Sequence, residues 1–344
     1  MLNVIQRFRV CACPIGHSFQ LITLCGQVTG LELAVVIWVG YLLRPLPDFG
    51  NLKENPVNGD YMTLDDNWFT EICNESGTAF SLKINQKLHE EKTQFQTIAI
   101  YDTEKFGNLM VIDGFTMVSS RDNFLYHEMM SHPVLFTHPD PRSVVIIGGG
   151  DCGTLREVLK HPGVRKARLI EIDQRVTELS EQYFPELCES NNDPRAEISF
   201  IDGIQWMADA PANSVDIIIV DSTDPVGPAE GLFGEAFYRD CVRVLSGNGI
   251  LVQQSESPLV HQNIIGDMYK AMKSAGFNER ATLNFPQCIY PTGWWSATMA
   301  SVSTPLNEFR KQAVKEKGFE TTYYNAEIHQ GALAAPEFFK QFAK

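Results

Sequence analysis

A doubly wound, mostly parallel α/β sheet behind a small β domain is the fold this sequence predicts, and three stretches predict it. Val144 to Ile147 is an unbroken β-branched run, followed by Gly148, Gly149, Gly150 and Gly153 and then by a helical pattern from Thr154 to Lys160. The next apolar segment ends in Glu171 and Asp173, and a further one, from Val215, ends in Asp221. Strands starting near residues 144, 167, 197, 215 and 250 alternate with helices, as in an open sheet covered on both faces.

Taken in order, residues 1–61 balance Arg7, Arg9, Arg44 and Lys53 against Glu32, Asp48, Glu54 and Asp60. Leu21 to Leu43 is apolar and about long enough to span a bilayer, but Gln27, Thr29 and Glu32 lie near its middle. Every motif that carries chemistry lies after Met62, so residues 1–61 read as an upstream extension from a start codon placed too early, with a membrane-associated segment as the alternative. Residues 62–121 alternate as strands, for example Ala79 to Ile84 and Thr97 to Tyr101, with turns at Gly77 and Gly107. They form the small β domain. A helix from Asp122 to Phe136 opens the larger domain, residues 122–344, and Asn307 to His329 adds a helix and a short strand or loop.

With 344 residues, 44% of them hydrophobic, the chain can bury a large core. Its net charge of -14 argues against a nucleic-acid partner and favours cationic substrates. Because residues 1–61 are neutral overall, the acidity belongs to the two domains after them. The eight cysteines form no CxxC pair or metal-ligand cluster, so no metal is expected, and reduced thiols in the cytoplasm are the simplest account.

Gly148, Gly150 and Gly153 satisfy the spacing of a dinucleotide turn, with Glu171 and Asp173 about 20 residues on, where a ribose hydroxyl would be held. Asp151 argues against a pyrophosphate there, since it would set two anions against each other at a helix N-terminus. An adenosyl group with a cationic tail suits both features; a solvated turn aspartate is the bland alternative. In VDIIIVDSTDPVGPA the strand delivers Asp221 and Asp224 to the sheet's ligand-binding edge, and Pro225, Gly227 and Pro228 restrict the loop after it. Asp202, between a strand from Glu197 to Ile201 and a helix, reads equally as a helix cap and as an adenine contact.

These segments, GGGDCGTLRE, EID, the DG at Asp202 and DSTDPVGPAE, in this order, resemble the polyamine aminopropyltransferases, above all the bacterial spermidine synthases. The resemblance runs from about Trp68 onward through WFTE, FGNLMVIDG, RDNFLYHEMMSHPVL, QSES, YPTGWW and YYNAEIH. It implies a Rossmann-like, methyltransferase-like catalytic domain that moves an aminopropyl group from decarboxylated S-adenosylmethionine, a cosubstrate rather than a cofactor, to putrescine. It also implies a homodimer or homotetramer. On the same match Asp151 holds the tail amine, Glu171 the ribose, and Asp202 with Gly203 the adenine; Gln96, Glu256 and Tyr290 line the channel. Tyr126 and Asp224 hold putrescine.

An alkylammonium with a pKa near about 10.4 must lose its proton as it attacks, which makes Asp221 the candidate general base. Its burial and the like charge of Asp224 would raise its pKa. His127, beside Tyr126, is carried among the substrate-binding candidates, although a His there reads first as packing or hydrogen-bonding. Trp294 and Trp295 read as core. Cys152, Met117 and Thr97 depart from the family pattern, and Met117 bears on acceptor length, so an aminopropyltransferase with a different amine acceptor, such as cadaverine or spermidine, is the alternative within the family. A methyltransferase on the same fold and a non-enzymatic adenosyl-binding paralogue are the competing readings. Asp151 and the DSTDPVGPA loop disfavour the first; intact Asp151, Glu171, Asp202, Asp221 and Asp224 disfavour the second.

Overall fold

The computed structural model describes residues 64–341 apart from 75 and 226, and before them three strands. These are β1 (Arg9–Ile15), β2 (Phe19–Val28) and β3 (Leu31–Ile37), an antiparallel sheet. The candidate span Leu21 to Leu43 therefore holds strands where it is described, and its remainder lies outside the described residues. Among the described residues no helix is long and apolar enough to cross a membrane. The chain divides into two compact units at Thr63/Leu64, so the small β domain and the larger sheet form one unit.

In that unit, five antiparallel strands come first: β4 (Trp68–Cys73), β5 (Thr78–Lys92), β6 (Thr97–Thr103), β7 (Gly107–Ile112) and β8 (Phe115–Ser119). Asp113 and Gly114 join β7 to β8, both at positive φ (50° and 91°), the geometry that matches the twist of a tight hairpin. Helix α1 (Asn123–Thr137) follows, one residue inside the expected start.

The second sheet contains β9 (Ser143–Gly148), β10 (Lys166–Glu171), β11 (Ala196–Phe200), β12 (Val215–Asp221), β13 (Leu245–Gln254), β14 (Glu279–Pro286) and β15 (Trp294–Ser301). Its order is β11-β10-β9-β12-β13-β15-β14. The first five are parallel, while β15 runs antiparallel to both β13 and β14. Helices α2 (Gly153–Leu159), α3 (Gln174–Tyr183), α4 (Gly203–Asp209), α5 (Glu235–Val244) and α6 (Gln262–Ala275) make the connections.

The β-branched runs are central because both faces are covered: Val144, Val145, Ile146, Ile217, Ile218 and Ile219 are fully buried. Connections leave β9 toward β10 and return to β12 on its other side. Between β9 and β12 the strand order reverses, and open α/β sheets bind ligands there.

The segment 307–329 carries α7 (Lys311–Lys315) and the start of α8 (Ala326–Ala332), two helices with no strand between them. The connecting chain is anchored by buried Glu128 of α1, which accepts the backbone N–H groups of Thr322, Tyr323 and Tyr324 over 2.7, 2.9 and 2.7 Å. Two motifs far apart in sequence, YHEMM and YYNAEIH, thus meet through one carboxylate.

Candidate active site

A cavity of about 240 Å³ opens at the carboxyl ends of β9, β10 and β12. Six carboxylates line it, those of Asp113, Asp151, Glu171, Asp202, Asp221 and Asp224, and among the described residues no lysine, arginine or histidine does. Such a wall attracts cations and repels phosphate.

The turn after β9 packs closely against Asp221. Gly148 has φ +81°, and a Cβ there would stand 2.2 Å from the Asp221 carbonyl oxygen; a Cβ on Gly149 would stand 2.9 Å from Asp221 Oδ2. Only glycine lets the strand ends approach this far. The Asp221 carboxylate accepts the Tyr126 hydroxyl on Oδ1 over 2.7 Å and the Thr154 hydroxyl on Oδ2 over 2.6 Å. Burial raises its pKa, as does Asp151; His127, Thr154 and Tyr126 pull it back.

Asp151 sits opposite His127, 3.1 Å from Nε2, and accepts the Gly153 N–H at the start of α2 over 2.8 Å. Burial would raise Asp151, but the His127 charge and hydrogen bond carry its pKa below the usual carboxylate value. Burial likewise disfavours the charged imidazole, yet Asp151 raises His127 above its ordinary value. The pair is ionic. Gly153 makes room for it, since a Cβ there would fall 2.1 Å from the His127 ring.

At the end of β10 the two acids separate. Glu171 lines the cavity and accepts the Asp173 N–H over 2.8 Å, while burial pushes its pKa up to about 7. Asp173 turns away to cap α3 and to accept Thr93 Oγ1 and Gln96 Nε2 at 2.7 and 3.1 Å. That bond holds Gln96 on the cavity wall. Asp202 does cap α4, with Oδ1 accepting the N–H groups of Ile204 and Gln205, and it lines the cavity together with Gly203. The cap uses one oxygen and leaves the other for a ligand.

On the outer side, Asp224 is raised well above its ordinary value, first by burial and then by Glu256, whose carboxyl shares a hydrogen bond with it. Glu256 is buried at φ +63° and lies 2.9 Å from His261 Nδ1. Tyr290 donates its hydroxyl to the Met117 carbonyl over 2.7 Å and meets Trp295 edge-on at 4.7 Å. Trp295 is core, as expected, and Trp294 is partly buried.

Of the residues expected at the site, Gln96, Tyr126, Asp151, Glu171, Asp202, Gly203, Asp221, Asp224 and Tyr290 line one cavity. His127 and Glu256 do not: each stands behind a lining carboxylate, His127 behind Asp151 and Glu256 behind Asp224. Sequence reasoning missed Phe95, Asp113 and Phe115, which reach the cavity from the small sheet, and Thr154 beneath Asp221. Asp113 carried a hairpin signal, but nothing local marked it as facing the larger sheet. Among the described residues no three or more His, Cys, Asp or Glu side chains are grouped to hold a metal ion.

Fold and cavity together define a doubly wound α/β enzyme with an acidic cavity at the carboxyl ends of its parallel strands. The spermine/spermidine synthase domain matches residues 123–311 and the spermidine synthase tetramerisation domain matches residues 67–119. The chain belongs to the spermine/spermidine synthase family. It is 67% identical over 272 residues to the polyamine aminopropyltransferase of Methylococcus capsulatus, covering 79% of this chain and 95% of that protein. It is 60% identical over 281 residues to the one from Thioalkalivibrio sulfidiphilus, covering 81% and 99%. Among solved structures it resembles a spermidine synthase bound to the transition-state analogue AdoDATO, with TM-score 0.78, 34% identity and coverage of 81% and 96%. The spermidine synthase of Thermotoga maritima gives TM-score 0.76 at 34% identity, covering 82% and 94%.

Proposed function

We propose that this enzyme transfers the aminopropyl group of decarboxylated S-adenosylmethionine to putrescine, forming spermidine and methylthioadenosine, with Asp221 as general base. The observation that carries the reading is the cavity wall of six carboxylates without a basic side chain among its described residues. Both substrates are cations, and the wall divides between them. Glu171 and Asp202 suit a ribose and an adenine amino group, and Asp151 suits the primary ammonium of the tail. A cosubstrate still carrying its carboxylate would meet Asp151 as a like charge, which disfavours ordinary S-adenosylmethionine.

Asp224 and Tyr126 hold the acceptor with one nitrogen toward the aminopropyl carbon. That nitrogen gives up a proton to Asp221, and the electron pair left behind forms the N–C bond. The C–S bond breaks with its pair on sulfur, turning a sulfonium into a neutral thioether. Alignment of nucleophile, carbon and leaving group supplies the remaining acceleration. The enzyme works in the cytoplasm as a homodimer or homotetramer, a reading supported by the matched tetramerisation domain for assembly and by the intracellular chemistry of its substrates.

The test is mass-spectrometric identification of products after incubation with decarboxylated S-adenosylmethionine and putrescine, cadaverine or spermidine. An aminopropylated putrescine with equimolar methylthioadenosine is expected. Methyl transfer from ordinary S-adenosylmethionine, or turnover only with another amine, would overturn the assignment.

A further inference from the structure

Thr154 lies in the first turn of α2, fully buried, and is not part of the cavity wall. Its hydroxyl donates to Asp221 Oδ2 over 2.6 Å, shorter than the mode for hydroxyl–oxygen bonds of about 2.7–2.8 Å. The same oxygen is backed by Gly149, whose missing Cβ would stand 2.9 Å away. Oδ1, by contrast, meets Tyr126, and Tyr126 lines the cavity. The two oxygens of one carboxylate are therefore in different surroundings, one sealed against the glycine turn and the other on the substrate side.

We propose that Thr154 is a positioning residue for the transfer reaction: by occupying Oδ2 it fixes the Asp221 carboxylate so that the acceptor's proton is taken up on Oδ1. The inference rests on the reading of Asp221 as the base. In the step concerned, the acceptor N–H bond breaks, its electron pair goes to the new N–C bond, and the proton goes to Oδ1 directly or through the Tyr126 hydroxyl. Thr154 keeps its bond throughout, because Oδ2 can accept a hydroxyl in both the charged and the neutral acid.

A second consequence concerns pH. A hydroxyl donor favours the carboxylate form, so Thr154 offsets part of the burial that would otherwise keep Asp221 protonated and useless as a base. The other groups facing Asp221 are Asp151 of the glycine turn, which opposes ionisation, His127 and Tyr126 of α1, which favour it, and Tyr290 from the segment before β15. Thr154 comes from a different element, α2, and its contribution can be removed without touching the cavity wall.

The experiment is the pH profile of kcat for Thr154→Val and Thr154→Ser, with calorimetric binding of decarboxylated S-adenosylmethionine. Valine keeps the shape and removes the donor. Its acid limb should move to higher pH by about one unit, with turnover on that limb down about tenfold and recovering as pH rises. Cosubstrate affinity should be unchanged, and serine should keep the parental limb. A valine limb at the parental pH, or a serine variant shifted as far as valine, overturns the proposal. Should valine fail to fold, Thr154→Ala removes the donor with less volume and carries the same expectation. Asp221→Asn separates the two readings: parental turnover there would sink the base itself, whereas an inactive Asp221→Asn beside an unshifted Thr154→Val would sink only the role of Thr154.

Discussion

Asp151, in the turn after β9, and Glu171, at the end of the neighbouring β10, are two acids on one cavity wall whose pKa values move in opposite directions. Asp151 falls below its ordinary value and Glu171 rises to about 7. Burial pushes both upward, so burial does not decide the sign. Asp151 has the His127 imidazole 3.1 Å away, which favours its charged form, while Glu171 has backbone N–H groups, which favour the carboxylate too weakly to offset desolvation. The difference fits the proposed ligands: a permanent ammonium needs a permanent anion, whereas ribose hydroxyls can be held by a group whose charge is adjustable.

Asp221 is the intermediate case, with hydroxyl partners on both oxygens, and testing it has the largest expected effect. Asp221→Asn keeps the shape but cannot take a proton, so turnover should fall roughly 10²- to 10⁴-fold with little change in cosubstrate affinity. Steady-state kinetics against pH check this, and residual activity should climb with pH as free amine replaces ammonium. Near-parental turnover at neutral pH would move the base role elsewhere.

Glu171 sharpens the comparison through stability. Its folded pKa is raised, so the folded state binds the extra proton between about pH 4.5 and about pH 7, and stability falls as pH rises across that window. Glu171→Gln should flatten the fall, by about 3 kcal/mol between the two ends. Urea melts of both proteins at pH 5 and pH 8 measure it; parallel pH dependences would contradict the assignment.

Asp151→Asn should weaken decarboxylated S-adenosylmethionine by about 1–3 kcal/mol while relieving repulsion of the carboxylated form. Calorimetry with both ligands decides, and an unchanged ratio of affinities would remove Asp151 from cosubstrate choice. The smallest effect is expected at Asp224, raised by burial and by Glu256 rather than lowered by a cation. Asp224→Asn should raise the acceptor KM by about tenfold with kcat largely kept. Because the raised acid charges only as pH increases, the parental acceptor KM should improve with pH and that of the variant should not; equal pH dependences would break this part of the comparison.

The parallel sheet was legible because its central strands must be apolar on both faces, and Val144 to Ile147 and Ile217 to Val220 can be little else. The glycine turn, Asp151 and the acids ending strands were legible because a ligand at the sheet's edge must be met by strand ends and their loops. What stayed hidden depends on pairings between distant elements. No local pattern tells that Glu128 caps the backbone of residues 322–324, that His127 and Glu256 stand behind the acids rather than beside the substrate, or that Asp113 from a hairpin faces the cavity. Sequence by itself determined which groups could carry charge and where strands would end; only the tertiary structure decided which acid met a cation, which met hydroxyls and which met another acid. The physical reason is that desolvation and Coulomb interactions act through space, and chain neighbours say little about them.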